Sequence, residues 1–131
     1  MVEHSKSQKR HFVRLDVVLP VKYRPYTGNP VFEGIFNIGR TYDLSSGGMK
    51  LTVSKPLNPN EKLDLEVELN ENSRPYIVGM ALGGENKEID GIQRRIEKIN
   101  FIEVEPEAQE QIMRFIFEYQ RKTVRKDKNK S

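Results

Sequence analysis

Between Lys62 and Leu69 the chain reads "KLDLEVEL", in which Leu63, Leu65, Val67 and Leu69 alternate with Asp64, Glu66 and Glu68. A period of two puts the apolar side chains on one face of an extended strand and the carboxylates on the other, which no helix does. The same alternation recurs from Leu15 to Arg24, with Leu15, Val17, Leu19, Val21 and Tyr23 on one side. It returns at Met49, Leu51 and Val53, and again at Tyr76, Val78, Met80 and Leu82. A segment from about Phe32 to Tyr42, interrupted by Gly34 and Gly39, predicts a further strand with bends or bulges. Residues from about Ile92 to Val104 form a last, less regular strand.

Turn chemistry separates these runs: "PYTGNP", "PLNPNEK" and "NENSRP" join strands, and "GGENKEIDG" reads as a polar loop. The period changes after Glu105. Pro106 suits a first helical turn, and Ala108, Ile112, Phe115, Ile116 and Tyr119 recur at helical spacing. Met113 and Phe117 lie beside that stripe and widen it. Five or six short strands followed by one amphipathic helix predict an all-β domain, a small antiparallel barrel or folded sheet. The helix would cap an opening or pack on an outer face.

A chain of 131 residues holds one such core. No apolar run is long enough to span a bilayer, and cysteine is absent, which removes disulfides and thiolate metal sites. A cytoplasmic location is the expectation. The formal charge of +3 is unevenly distributed: residues 1–14 carry +3, residues 121–131 carry +5, and the middle carries −5. An acidic body between basic ends argues against a broad nucleic-acid-binding face. Residues 1–8 are read as a flexible arm, 9–122 as the domain and 123–131 as a disordered basic tail.

Two stretches bury nothing obvious. "RHFVR" spans Arg10 to Arg14, and "DLSSGG" spans Asp43 to Gly48. If the first two strands join through a tight turn near Thr27 and Gly28, paired residue numbers sum to about 55. Arg14 then lies near Thr41, and Asp43 near Phe12. Arg10 and Arg14 share a side of an extended chain, as do Asp43 and Ser45. Arginine forks bind phosphate or the O6/N7 edge of guanine, whereas a carboxylate accepts from the guanine N1 and N2 donors. Serine adds a hydroxyl. Gly47 and Gly48 permit close backbone approach and positive φ. A guanine nucleotide satisfies the whole set.

The pair of stretches resembles the signature of the PilZ family, bacterial receptors for cyclic di-GMP. Arg10-His11-Phe12-Val13-Arg14 matches RxxxR, and Asp43-Leu44-Ser45-Ser46-Gly47-Gly48 matches [D/N]xSxxG. The likeness runs from about Lys9 to Lys122. One departure is "RRIEKINF", where the family often carries a glycine before its last strand. The resemblance implies a six-stranded antiparallel β-barrel with a C-terminal α-helix; with few residues ahead of Lys9, a stand-alone domain is the expectation. It implies cyclic di-GMP as ligand, without a further cofactor, bound by Arg10, Arg14, Asp43, Ser45 and Gly48, with Lys9 and Gly47 adjacent. The expected role is a receptor whose N-terminal arm rearranges on binding and signals to a protein partner.

Other readings stay open at this level. The arginines and the glycine turn are compatible with solvated charges and a plain turn. An adaptor that has lost nucleotide binding has the same fold, and a small barrel for single-stranded nucleic acid needs exposed aromatics among its bases. No nucleophile–base pair or metal triad suggests an enzyme, and His4 and His11 lack partners at ligand spacing.

Overall fold

A computed structural model of the chain describes residues 13–130, with side chains as far as Thr123. Among the described residues six strands, β1 (Pro20–Pro25), β2 (Asn37–Leu44), β3 (Gly48–Val53), β4 (Lys62–Val67), β5 (Tyr76–Ile89) and β6 (Ile92–Val104), precede one helix, α1 (Pro106–Lys130). The strands close into a barrel in the order β1-β2-β3-β6-β5-β4, every neighbouring pair antiparallel. Closure removes the open sheet edges that would otherwise template aggregation.

The alternating residues fill the interior as their period requires. Val21, Leu51, Leu65, Val67 and Ile77 are fully buried, and Ile112 and Ile116 of α1 join the same apolar cluster. Met113 and Phe117, beside the buried stripe, are exposed, and Tyr119 at its end is about one-third exposed, at 36%.

The strand boundaries correct several expectations. The first ladder begins at Pro20, not Leu15; upstream, Leu15 makes only an isolated bridge to Leu44. The intervening residues are clipped to β2 by Thr41, whose hydroxyl donates to the Val17 carbonyl and accepts from Leu19 N–H. The turn at Thr27–Gly28 is also longer than expected. Pro20 pairs with Arg40 and Val21 with Gly39, so residues 26–36 form the connection and the register moves with it.

That long connection is held by Asp64. Its buried carboxylate accepts from Arg24 Nε (2.9 Å), Thr27 N–H (3.0 Å) and Oγ1 (2.6 Å), Gly28 N–H (3.3 Å) and Tyr76 Oη (2.6 Å). Arg24 Nη2 in turn donates to the Asn29 and Val31 carbonyls. Burial pushes the Asp64 carboxyl up, but hydrogen bonds from Thr27, Tyr76, Arg24 and Gly28 outweigh it, and the net direction is down. Burial, reinforced by the neighbouring carboxylate, pushes the Tyr76 phenol up. An alternating strand residue expected on the solvent face is therefore the anchor of a loop.

The expected polar loop "GGENKEIDG" is largely strand. β5 continues to Ile89 and returns through a two-residue turn at Asp90 and Gly91, with φ of 52° and 77°. Two consecutive positive φ values match the twist of the flanking strands, and Asp-Gly is the pair that adopts them most readily. The helix likewise continues through Lys130, where composition predicts a disordered tail from residue 123. From Glu107 to Lys130 there is neither glycine nor proline, and the lysines and arginines that dominate its end are good helix formers. No helix among the described residues is long and apolar enough to cross a membrane.

Candidate functional site

The "DLSSGG" stretch is the connection between β2 and β3. Thr41 pairs with Leu51, but Asp43 pairs with Lys50, so Tyr42 is an extra residue on β2. This bulge sits directly before Asp43, where a change of twist re-aims the side chain that follows. The Asp43 carboxylate is mostly buried. Its Oδ1 accepts from Lys50 N–H at 3.0 Å, and its Oδ2 lies 3.8 Å from Arg14 Nη1. One oxygen is thus committed to the backbone while the other faces a half-exposed guanidinium.

Ser45 holds the turn. Its N–H and its hydroxyl both donate to the Gly48 carbonyl, at 2.8 Å and 3.1 Å, and its Oγ accepts from Gly47 N–H at 3.4 Å. Gly48 is required for close approach. A Cβ there would stand 2.5 Å from the Ile99 carbonyl oxygen on β6. Neither Gly47 nor Gly48 adopts positive φ, so that part of the expectation is corrected: the bend is made without left-handed backbone.

Arg14, Asp43, Ser45, Gly47 and Gly48 line one cleft of about 470 Å³. Arg10 and Lys9, expected beside them, lie outside the described residues. The register that was to deliver Arg14 opposite Thr41 is different, since the Leu15–Leu44 bridge sets the lead-in against the very end of β2. Leu15 and Leu44 exchange both backbone hydrogen bonds, at 2.8 and 2.9 Å. That two-bond clip, one residue from each partner, holds Arg14 beside Asp43.

Sequence reasoning missed Lys50, Leu82, Lys98 and Asn100, which line the same cleft. Lys50 was legible in principle, two residues beyond Gly48 and therefore on the same face. Lys98 and Asn100 were not, because they arrive through the β3–β6 pairing, which joins distant parts of the chain. A second depression of about 600 Å³ is lined by Asp16, Ile38, Arg40, Tyr42, Asp90 and Arg94 among others. It mixes charges of both signs and gathers neither sequence motif. Among the described residues no group of His, Asp and Glu is arranged to hold a metal ion.

The cleft therefore offers a carboxylate oxygen, a forked cation, a turn hydroxyl and two lysine ammonium groups, a set suited to a ligand with both hydrogen-bond donors and negative charge. Comparison with known families matches the PilZ domain over residues 8–118. Among solved structures, the PilZ domain of YcgR from Escherichia coli with c-di-GMP is 20% identical with a TM-score of 0.71, covering 92% of this chain and 98% of that one. The inhibitor of motility MotI/DgrA of Bacillus subtilis is 19% identical with a TM-score of 0.66, covering 86% of this chain and 51% of that one. The K. pneumonia MrkH–c-di-GMP complex is 18% identical with a TM-score of 0.72, covering 89% of this chain and 55% of that one. This chain thus spans about half the length of the MotI/DgrA and MrkH chains. At these identities the likeness to solved structures is one of fold. No curated protein sequence matches. Six antiparallel strands closed into a barrel, one C-terminal helix and a family match over most of the chain lead to one conclusion: the chain belongs to the PilZ domain family.

Proposed function

We propose that this domain is a cyclic di-GMP receptor and that the Arg14–Asp43 cleft is its binding site. The observation that carries the reading is the 3.8 Å approach of Arg14 to a carboxylate whose other oxygen is already held by Lys50 N–H. An aspartate fixed in this way keeps Oδ2 aimed outward, able to accept from guanine N1 and N2. The Arg14 fork then has a phosphate or the guanine O6/N7 edge to bind. Ser45 and Gly48 form the wall against which the ring and its phosphate lie. YcgR and MrkH, which share the fold, were solved with c-di-GMP.

In this reading Arg10, with Lys9 adjacent, completes the cationic side. The arm formed by residues 1–8 changes position when residues 9–14 close on the ligand. The resulting surface is read by a protein partner, so the domain acts by binding and not by catalysis. Titration calorimetry of the chain with cyclic di-GMP tests the reading. Saturable binding that weakens in Arg14→Ala supports it; the absence of binding to the unaltered chain leaves the nucleotide-free adaptor in its place.

A further inference from the structure

The cleft wall carries a charge arrangement that neither motif accounts for. Asp43 on β2, Lys50 on β3 and Lys98 on β6 are register partners in one row across three strands. Directly opposed residues on adjacent strands project to the same face, and strands lie about 4.8 Å apart. Two lysines are thus side by side. Like charges so placed oppose strand pairing, and a sheet ordinarily sets an acid against a base there. Among the described residues the one acid lining the cleft is Asp43, which is already engaged by Arg14 and by Lys50 N–H. Among the described residues neither lysine ammonium forms a salt bridge or a hydrogen bond to a side chain.

The row continues onto β5 as bare backbone. Lys98 pairs with Gly83, next to a register shift between Ala81 and Gly83. Gly83 has φ of 116°, and nothing lies within 4 Å of where its Cβ would be. The lysines therefore border open space on that side. Among the described residues, Arg14, Lys50 and Lys98 against Asp43 leave the cleft lining with two uncompensated positive charges.

We propose that Lys50 and Lys98 form a phosphate-binding pair on the barrel wall, distinct from the RxxxR and [D/N]xSxxG residues. The pair takes an anionic phosphate oxygen between two ammonium groups on neighbouring strands. Its assignment to a phosphodiester of cyclic di-GMP rests on the function proposed above; the anion site itself rests on the charge row alone. A ligand with two phosphates is then gripped from both sides, by the lead-in arginine and by the wall lysines. The energetic signature is unusual for a structural pair, since removing one lysine relieves repulsion in the free protein while weakening the complex.

The test uses the full chain with Lys50→Gln, Lys98→Gln and Lys98→Arg, titrated with cyclic di-GMP at low and at physiological salt. Each glutamine variant is expected to lose about three- to ten-fold in affinity. Its salt dependence should be shallower, and it should melt no lower than the unaltered chain. Lys98→Arg should keep most of the affinity. Unchanged affinity and salt dependence in both glutamine variants overturn the pair, whatever the fate of the nucleotide reading. If the unaltered chain binds no cyclic di-GMP, inorganic pyrophosphate followed by NMR separates the two claims. Saturable shifts at Lys50 and Lys98 that vanish in Lys98→Gln uphold the anion site and leave only the nucleotide assignment wrong. Their absence removes the anion site too.

Discussion

Arg14 Nη1 stands 3.8 Å from Asp43 Oδ2, although a strand and a long connection separate the two residues in the chain. The neighbouring residues Leu15 and Leu44 make this approach possible, since their paired backbone hydrogen bonds fix the lead-in against the end of β2. The contact is long for a hydrogen bond, and Arg14 is half-exposed, so it contributes little to stability by itself. Its significance is positional: it brings a cation and a carboxylate, both able to contact ligand, to one cleft.

Replacing Asp43 by alanine removes the outward oxygen and also the acceptor for Lys50 N–H. Affinity for cyclic di-GMP should fall roughly ten- to a hundred-fold, equivalent to about 1.5–3 kcal/mol for a hydrogen bond to a charged group. Stability should fall by about 0.5–1.5 kcal/mol because a part-buried amide loses its partner. Calorimetry and urea unfolding measure the two effects separately.

Gly48→Ala tests why glycine stands at the bend. Its new Cβ would meet the Ile99 carbonyl at 2.5 Å, and backbone on both strands is poorly placed to give way. A destabilisation of about 1–3 kcal/mol is expected in urea unfolding, with the β3–β6 amides losing hydrogen-exchange protection first. Unaltered stability would show that the approach of the two strands is looser than described.

The Asp64 cluster predicts acid sensitivity with a definite sign. The carboxyl is held below its ordinary value of 3.8 in the folded protein, so folded and unfolded chains differ in proton uptake as pH falls. The stabilisation is complete above the ordinary value and is lost as pH drops through the lower, folded value. Asp64→Asn should flatten that part of the acid limb in urea unfolding measured across pH. Asp64→Ala should cost about 3–5 kcal/mol at neutral pH by stranding Arg24. An unchanged acid limb in Asp64→Asn contradicts the cluster's role.

Among the described side chains of α1, Ile112 is the one fully buried. Ile112→Ala should destabilise the domain by about 2–5 kcal/mol in the same unfolding assay, whereas Met113→Ala, at an exposed neighbour, should change it little. Equal effects at both positions would mean that the helix presents a different face to the barrel.

Much of this architecture was legible in local pattern. The alternation of Leu63, Leu65 and Val67, and the stripe of Ala108, Ile112 and Ile116, led directly to buried faces because period and burial are linked within a single element. The motif residues Arg14, Asp43, Ser45, Gly47 and Gly48 also meet in one cleft. What escaped depends on contacts distant in sequence. The long connection after β1 is held by Asp64, whose acidic side chain looked like an ordinary solvent-facing residue until Thr27, Gly28, Arg24 and Tyr76 surrounded it. Lys98 reaches the cleft only through barrel closure. The β5–β6 turn is different, because Asp90-Gly91 is a local hairpin signal set within a polar stretch that has the composition of a loop.

The most direct measurement is a heteronuclear NMR titration of the full chain with cyclic di-GMP. Saturable shifts are expected at Arg14, at Asp43 through Gly48 and at Lys50, together with new or shifted amide signals from residues 9–13. Perturbations confined to the depression around Ile38, Tyr42 and Arg94, or no saturable change at all, would contradict binding in the Arg14–Asp43 cleft.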